Sequence, residues 1–230
     1  MKDKMQKISD EDWKKPAAAA WKAIGAAEYK KAVDLLTPVY KRYPKDVRVV
    51  NFYASTLADY AFSLPPARQQ ILRKRGCALL AGLLKRLRWV NRNLAYSTRN
   101  EYYYHSGKYD KQYALGVEFV KAGNDRAYYS QGVGAAWHAY RHAEKGRQRL
   151  AALWATRAVR AWQNLFKVNS KYYNSYVHYA LALGILGQMK AMEAALKKSA
   201  RLSGKPDTYH EFADVRHKIS ALVVKRGARE

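Results

Sequence analysis

Apolar residues recur every three or four positions along most of the chain, which is the spacing of α-helices that bury one face. The segment 29–43 shows this stripe, with Ala32, Leu36 and Val39 on one side. Glycine, proline and asparagine interrupt the stripes at intervals, as they do where helices end. The pattern predicts an all-α chain, with helices near 14–25, 29–43, 47–62, 67–94, 98–107, 109–122, 125–144, 147–168, on either side of Gly187, and 208–225.

Small and apolar residues also repeat at a fixed distance within 16–60. Ala54 follows Ala20 by 34 residues, and Leu57 follows Ala23 by the same distance. Repeats of about this length are helix pairs that cannot bury their apolar faces alone, so neighbouring pairs stack. The period therefore predicts an array of helix pairs.

The segment 16–60 resembles the tetratricopeptide repeat (TPR) family. That family has a small residue midway along its first helix, an aromatic residue opening its second, a small residue three positions later and a closing proline. These places are held by Ala20, Tyr29, Ala32 and Pro44. The resemblance extends over about 14–202 and departs from the family at 67–94, where the predicted helix is nearly twice the family length.

The resemblance implies a right-handed α-solenoid of antiparallel helix pairs. We expect the repeats to occupy 14–207, after a charged N-terminal arm at 1–13 and before a C-terminal capping helix and basic tail at 208–230. Arrays of this kind need such a cap because their last repeat would otherwise expose an apolar face.

The resemblance also implies that the first helix of each pair lines a concave groove that holds an extended peptide. The predicted groove residues are Asn51, Ser55, Asp59, Tyr102, Tyr103, Tyr172, Asn174 and His178. Asparagine and basic side chains in a groove suit an acidic segment. The tyrosines also suit packing between helices with their hydroxyls in water, and this alternative stays open.

Charge sets the expected chemistry of the partner. The chain has 43 Lys and Arg residues against 18 Asp and Glu residues, a net charge of +25, which steers it toward polyanions or acidic surfaces. The segments 60–100 and 145–192 contain no acidic residue that could pair with their cations. The predicted anion-binding residues are Arg73, Lys74, Lys85, Arg88, Arg92, Arg147, Arg149, Arg157 and Arg160. An ordinary solvated basic surface is the alternative.

The sequence offers little for catalysis or metal binding. His138 and His142 are four residues apart, a spacing that seats two ligands on one helix face, but no third ligand is evident. No phosphate loop or nucleophile elbow occurs. We therefore predict no enzyme activity, no cofactor and no metal site.

The expected cellular compartment follows from the low cysteine content and from the lack of a long apolar run. It has one cysteine, Cys77, and no apolar run that could serve as a signal peptide or span a bilayer. We therefore expect a soluble cytoplasmic protein without an internal disulfide or membrane span.

The predicted function is a non-catalytic TPR-like scaffold that holds an acidic segment of a protein partner in its groove. A second hypothesis is a subunit of a larger complex that binds RNA or DNA through the phosphate backbone, since no base-reading motif is present. A third is a subunit that binds a small molecule or peptide beneath the tyrosines.

Overall fold

The computed structural model describes residues 8–87, 92–206 and 210–227. This part of the chain forms eleven α-helices and contains no β-strand, which confirms the all-α prediction. The helices are α1 (Asp10–Gly25), α2 (Tyr29–Arg42), α3 (Val47–Phe62), α4 (Pro66–Leu87), α5 (Arg92–His105), α6 (Tyr109–Lys121), α7 (Tyr128–Glu144), α8 (Gln148–Val168), α9 (Tyr173–Ile185), α10 (Met189–Ser203) and α11 (His210–Gly227). A 3-10 turn at Asp125–Ala127 precedes α7.

The chain divides into two compact units, of which the first is Met1–Gly107 and contains α1 to α5. Each helix of this unit packs against the next, and α3 also contacts α5. The core combines small residues of α1 and α2 with larger ones of α3, namely Ala20, Ala23, Ala32, Val33, Leu36, Tyr53 and Leu57. The positions that repeat every 34 residues are therefore core positions.

The second unit, Lys108–Glu230, contains α6 to α11. Consecutive helices from α6 to α10 pack against each other, and α9 also contacts α7 and α11. A Cβ at Gly134 of α7 would lie 2.7 Å from both Tyr109 O and Tyr113 N of α6, so only glycine allows this approach. Gly134, within the predicted helix 125–144, is thus a position at which two helix backbones approach closely.

Helix α1 begins earlier than the apolar pattern indicated. Ser9 is its N-cap, and the Asp12 N–H donates to Ser9 Oγ at 3.1 Å. Three acidic residues occupy the first turn, where the helix dipole favours negative charge. Residues 10–13 of the predicted arm are therefore helical, and Pro16 lies inside α1.

Contacts with the start of α3 hold the residues that precede α1. Ile8 is buried, and its N–H donates to Asp46 Oδ2 at 2.9 Å. Arg48 Nη2 donates to Ile8 O at 2.7 Å, and Arg48 Nη1 donates to Asp10 Oδ1 at 2.6 Å. Asp46 and Arg48 at the start of α3 thus hold the residues that lead into α1.

The prediction of one long helix at 67–94 is wrong. Helix α4 ends at Leu87, α5 begins at Arg92, and the two helices pack against each other. The intervening residues 88–91 lie outside the described part of the chain, and Asn91 is the only residue among them that is typical of a helix end.

Candidate functional site

Three of the predicted groove residues lie along one face of α3. Asn51, Ser55 and Asp59 are four residues apart, so each lies about 6 Å along the helix axis from the next, and all three are half-buried. Asn51 Oδ1 and Ser55 Oγ are buried without a hydrogen-bond partner. An unpaired buried polar atom costs about 1–3 kcal/mol, so an incoming N–H donor would remove an existing penalty at both.

At the far end of this face, Asp59 belongs to a charged cluster that joins three helices. His105 Nε2 of α5 lies 3.7 Å from Asp59 Oδ1 of α3 and 3.4 Å from Glu101 Oε2. Arg73 of α4 donates from Nη2 to the backbone oxygen of His105 at 2.6 Å. The cluster therefore connects α3, α4 and α5 within the first unit.

The acidic neighbours of His105 favour its protonated form. Burial lowers the pKa of His105, but the contact with Glu101 and the charge of Asp59 outweigh burial, so its pKa is raised. The sequence analysis missed Glu101 and His105 as members of this cluster. Their i, i+4 spacing was the available signal, but nothing in the sequence placed Asp59 beside them.

Tyr102 and Tyr103 are half-buried on α5, and their ring centroids lie 5.8 Å apart in a tilted arrangement. Both rings thus contribute to packing while retaining some access to water. Two open surface hollows of about 430 Å³ each occur elsewhere, one beside the α1–α2 turn and one on the first turns of α10. Neither hollow involves a predicted site residue.

In the second unit, His178 of α9 lies in a cluster of aromatic rings. Its centroid is 6.2 Å from that of Trp162, with the rings nearly parallel, and 6.4 Å from those of Tyr129 and Trp137. Burial lowers the pKa of His178 to about 4, although the charge of Asp214 acts in the opposite direction. The side chain is therefore neutral near pH 7 and packs as an aromatic ring.

The other predicted groove residues of this unit flank the aromatic cluster. Tyr172 immediately precedes α9, is exposed, and contacts Tyr129 edge to face at 5.3 Å between centroids. Asn174 is half-buried on the first turn of α9, and its Oδ1 has no hydrogen-bond partner. Asn174 therefore repeats in the second unit the unpaired amide oxygen that Asn51 provides in the first.

A glycine allows Trp162 to reach this cluster. Trp162 of α8 is fully buried, and a Cβ at Gly132 of α7 would lie 2.3 Å from its ring. The indole therefore lies directly against the backbone of α7. Nothing in the sequence indicated which ring would occupy the space beside Gly132.

Most of the predicted anion-binding residues are exposed. On α4 these are Lys74 and Lys85, and in the second unit they are Arg147, Arg149, Arg157 and Arg160. None of the six pairs with a carboxylate in the described part of the chain. Arg157 also stacks on Trp154, with its guanidinium carbon 4.6 Å from the ring centroid.

Three members of that predicted set differ from these six. Arg73 is half-buried, donates to His105 O and stacks on the Phe62 ring at 4.9 Å. Arg88 lies outside the described residues, as does the side chain of Arg92. Of the predicted anion-binding residues in the first unit, Lys74 and Lys85 of α4 are therefore the exposed ones among the described side chains.

His138 and His142 are brought together on the last turns of α7. Their Nε2 atoms lie 3.2 Å apart, and the His138 ring contacts Trp154 edge to face at 4.5 Å between centroids. Across residues 8–87, 92–206 and 210–227, no group of three or more His, Cys, Asp or Glu side chains is arranged to hold a metal ion.

No known family model matches the chain, and no curated protein sequence matches it. Among the helices described, none combines the length and apolar character needed to cross a bilayer. Functional proposals for this protein therefore depend on the geometry above and on the TPR resemblance of the sequence.

Proposed function

We propose that this protein is a non-catalytic, TPR-like scaffold that binds an acidic protein partner, with antiparallel helix pairs stacked as a right-handed solenoid. The proposal depends mainly on a row of exposed cations on α8, here called the α8 row, formed by Arg149, Arg160 and Lys167. These residues are eleven and seven positions apart, about three and two helical turns, so they share one side of the helix. None has a carboxylate partner among the described side chains.

Helix packing supports the stacked arrangement. Consecutive helices contact each other in both units, as the two members of a pair must. Alternate helices also meet, since α3 contacts α5 in the first unit and α9 contacts α7 and α11 in the second. Contacts between alternate helices are what stacked pairs require.

The face of α3 favours a polypeptide over a nucleic acid. Asn51, Ser55 and Asp59 offer oxygen acceptors about 6 Å apart, and alternate N–H groups of an extended chain are about 6.6 Å apart. A phosphate backbone has no N–H to donate to these acceptors.

A nucleic-acid backbone is the second candidate because the α8 row and the α4 lysines are cationic and unneutralised. Binding of that kind releases counterions and falls steeply with salt. The two candidates therefore differ in which polyanion binds more tightly and in how strongly salt weakens binding.

The first prediction concerns the α8 row. Fluorescence anisotropy should show the full chain binding a glutamate-rich peptide more tightly than a uridine oligonucleotide of equal length. The double variant R149Q/R160Q should weaken peptide binding about 2- to 30-fold, because each exposed contact is worth about 0.2–1 kcal/mol. The matched control K30Q/K31Q removes two exposed lysines that already pair with Asp34 and Glu28, and should bind like the wild type.

The result of this experiment distinguishes an acidic protein partner from a nucleic-acid partner. Equal affinities of R149Q/R160Q and the wild type for the peptide would exclude the α8 row as the acidic-partner site. Tighter binding of the oligonucleotide, with a steep salt dependence removed by R149Q/R160Q, would establish nucleic-acid binding instead.

A further inference from the structure

The imidazole rings of His138 and His142 share a hydrogen bond between their Nε2 atoms, which a bound metal ion would replace. Their Nε2 atoms are 3.2 Å apart, and the residues are one helical turn apart. Two nitrogens at this separation can each lie about 2.0–2.1 Å from a single ion, which is the zinc–nitrogen distance in proteins. The angle at the ion would then be about 100°, between the right angle of square-planar and the wider angle of tetrahedral coordination.

We propose that His138 and His142 form a two-histidine binding site for a divalent transition-metal ion of the nickel, copper and zinc class. Imidazole nitrogen is a preferred ligand for each of these ions. No third protein ligand joins the pair in the described part of the chain, so water or a group from a partner completes the coordination. The site is independent of the proposed function, since it uses neither the α8 row nor the α3 face.

The surroundings position one ring and place cations near the other. The His138 ring is held by its edge-to-face contact with Trp154. Arg147 and Lys145 are close enough to His142 for their charges to act on it.

The same cations limit the affinity. Arg147 and Lys145 repel a divalent ion as they repel a proton, and two ligands hold a metal less tightly than three or four. We therefore expect a readily exchanging site rather than a closed structural one.

The test uses the full chain and Ni²⁺, which is redox-inert here and therefore does not oxidise Cys77. Isothermal titration calorimetry should show one saturable Ni²⁺ site in the wild type. The variant H142Q removes one ligand from a half-buried position and should lose at least about tenfold in affinity. The matched control H217Q removes an exposed histidine of α11 and should bind like the wild type.

A second measurement needs no variant. Paramagnetic Ni²⁺ should first broaden the ring NMR signals of His138 and His142 in the wild type. Broadening that begins at other histidines would overturn the proposal, as would unchanged affinity in a folded H142Q protein. The absence of saturable binding in the wild type would overturn it as well.

Discussion

His105 and His178 both lie among packed side chains, yet their surroundings move their pKa values in opposite directions. His105 contacts Asp59 and Glu101, which raise its pKa despite burial. Its contribution to stability is therefore complete below about pH 6.5, the unfolded pKa of histidine, and is lost as pH rises through the folded pKa.

His178 lies among aromatic rings, and burial lowers its pKa to about 4. Its contribution is present above about pH 6.5 and is lost as pH falls toward 4.

The second prediction follows from His178. Between about pH 6.5 and pH 4, its protonation should remove about 3 kcal/mol from the free energy of unfolding, at about 1.4 kcal/mol per pH unit. The variant H178F keeps an aromatic ring but cannot titrate, so its stability should fall less over this range. Urea unfolding of both proteins at several pH values, with H217F as the exposed control, measures the difference. Parallel pH profiles for the wild type and H178F would contradict the argument.

At the scale of the helix, one glycine determines how closely α7 and α8 pack. The third prediction is that G132A lowers the free energy of unfolding by about 1–3 kcal/mol, because the new Cβ would lie 2.3 Å from the Trp162 ring. Gly82 provides the control, since it lies inside α4 and a Cβ added there would have nothing within 4 Å. The variant G82A should gain up to about 1 kcal/mol from better helix propensity. Urea denaturation of both variants gives the two free energies, and similar values for them would refute the proposed tight contact.

The helices themselves were predictable where apolar spacing and stop signals agreed. The core positions Ala20, Ala32 and Ala54 followed from spacing alone, because a small side chain is needed wherever helices approach closely. The end of α4 at Leu87 did not follow, since Asn91 and Asn93 are the only stop residues between it and Leu94 and the apolar stripe continues. The early start of α1 carried a signal in Ser9 and three acids, but a cap becomes evident only when an apolar stripe follows it directly.

The candidate site was predictable only one helix at a time. Fixed spacing placed Asn51, Ser55 and Asp59 on one face, and the structure has them there. The meeting of Asp59 with Glu101 and His105 depends on how α5 packs, which no local pattern encodes. For the same reason, the sequence did not indicate that the His178 ring packs against Trp162.

At the scale of the whole molecule, the net charge of +25 opposes the compact state through self-repulsion. The fourth prediction is that the melting temperature rises with sodium chloride. Raising ionic strength from about 0.01 M to about 0.1 M shortens the screening length from about 30 Å to about 10 Å. A gain of about 1 kcal/mol would raise the melting temperature by about 2–4 °C for a chain of this size. Differential scanning calorimetry measures it, and R149Q/R160Q, with two fewer positive charges, should show a smaller rise. A melting temperature that stays constant or falls with salt would contradict this expectation.

The hydrogen bonds of Ile8 bear on where this protein can be cut. The repeat pattern suggests a boundary before residue 14, yet a fragment that begins there would lose both the donor to Asp46 and the two acceptors of Arg48. It would also lose the buried side chain of Ile8. A fragment cut at the repeat boundary would therefore lose the contacts that join the start of α1 to the start of α3, along with residues that look dispensable in the sequence.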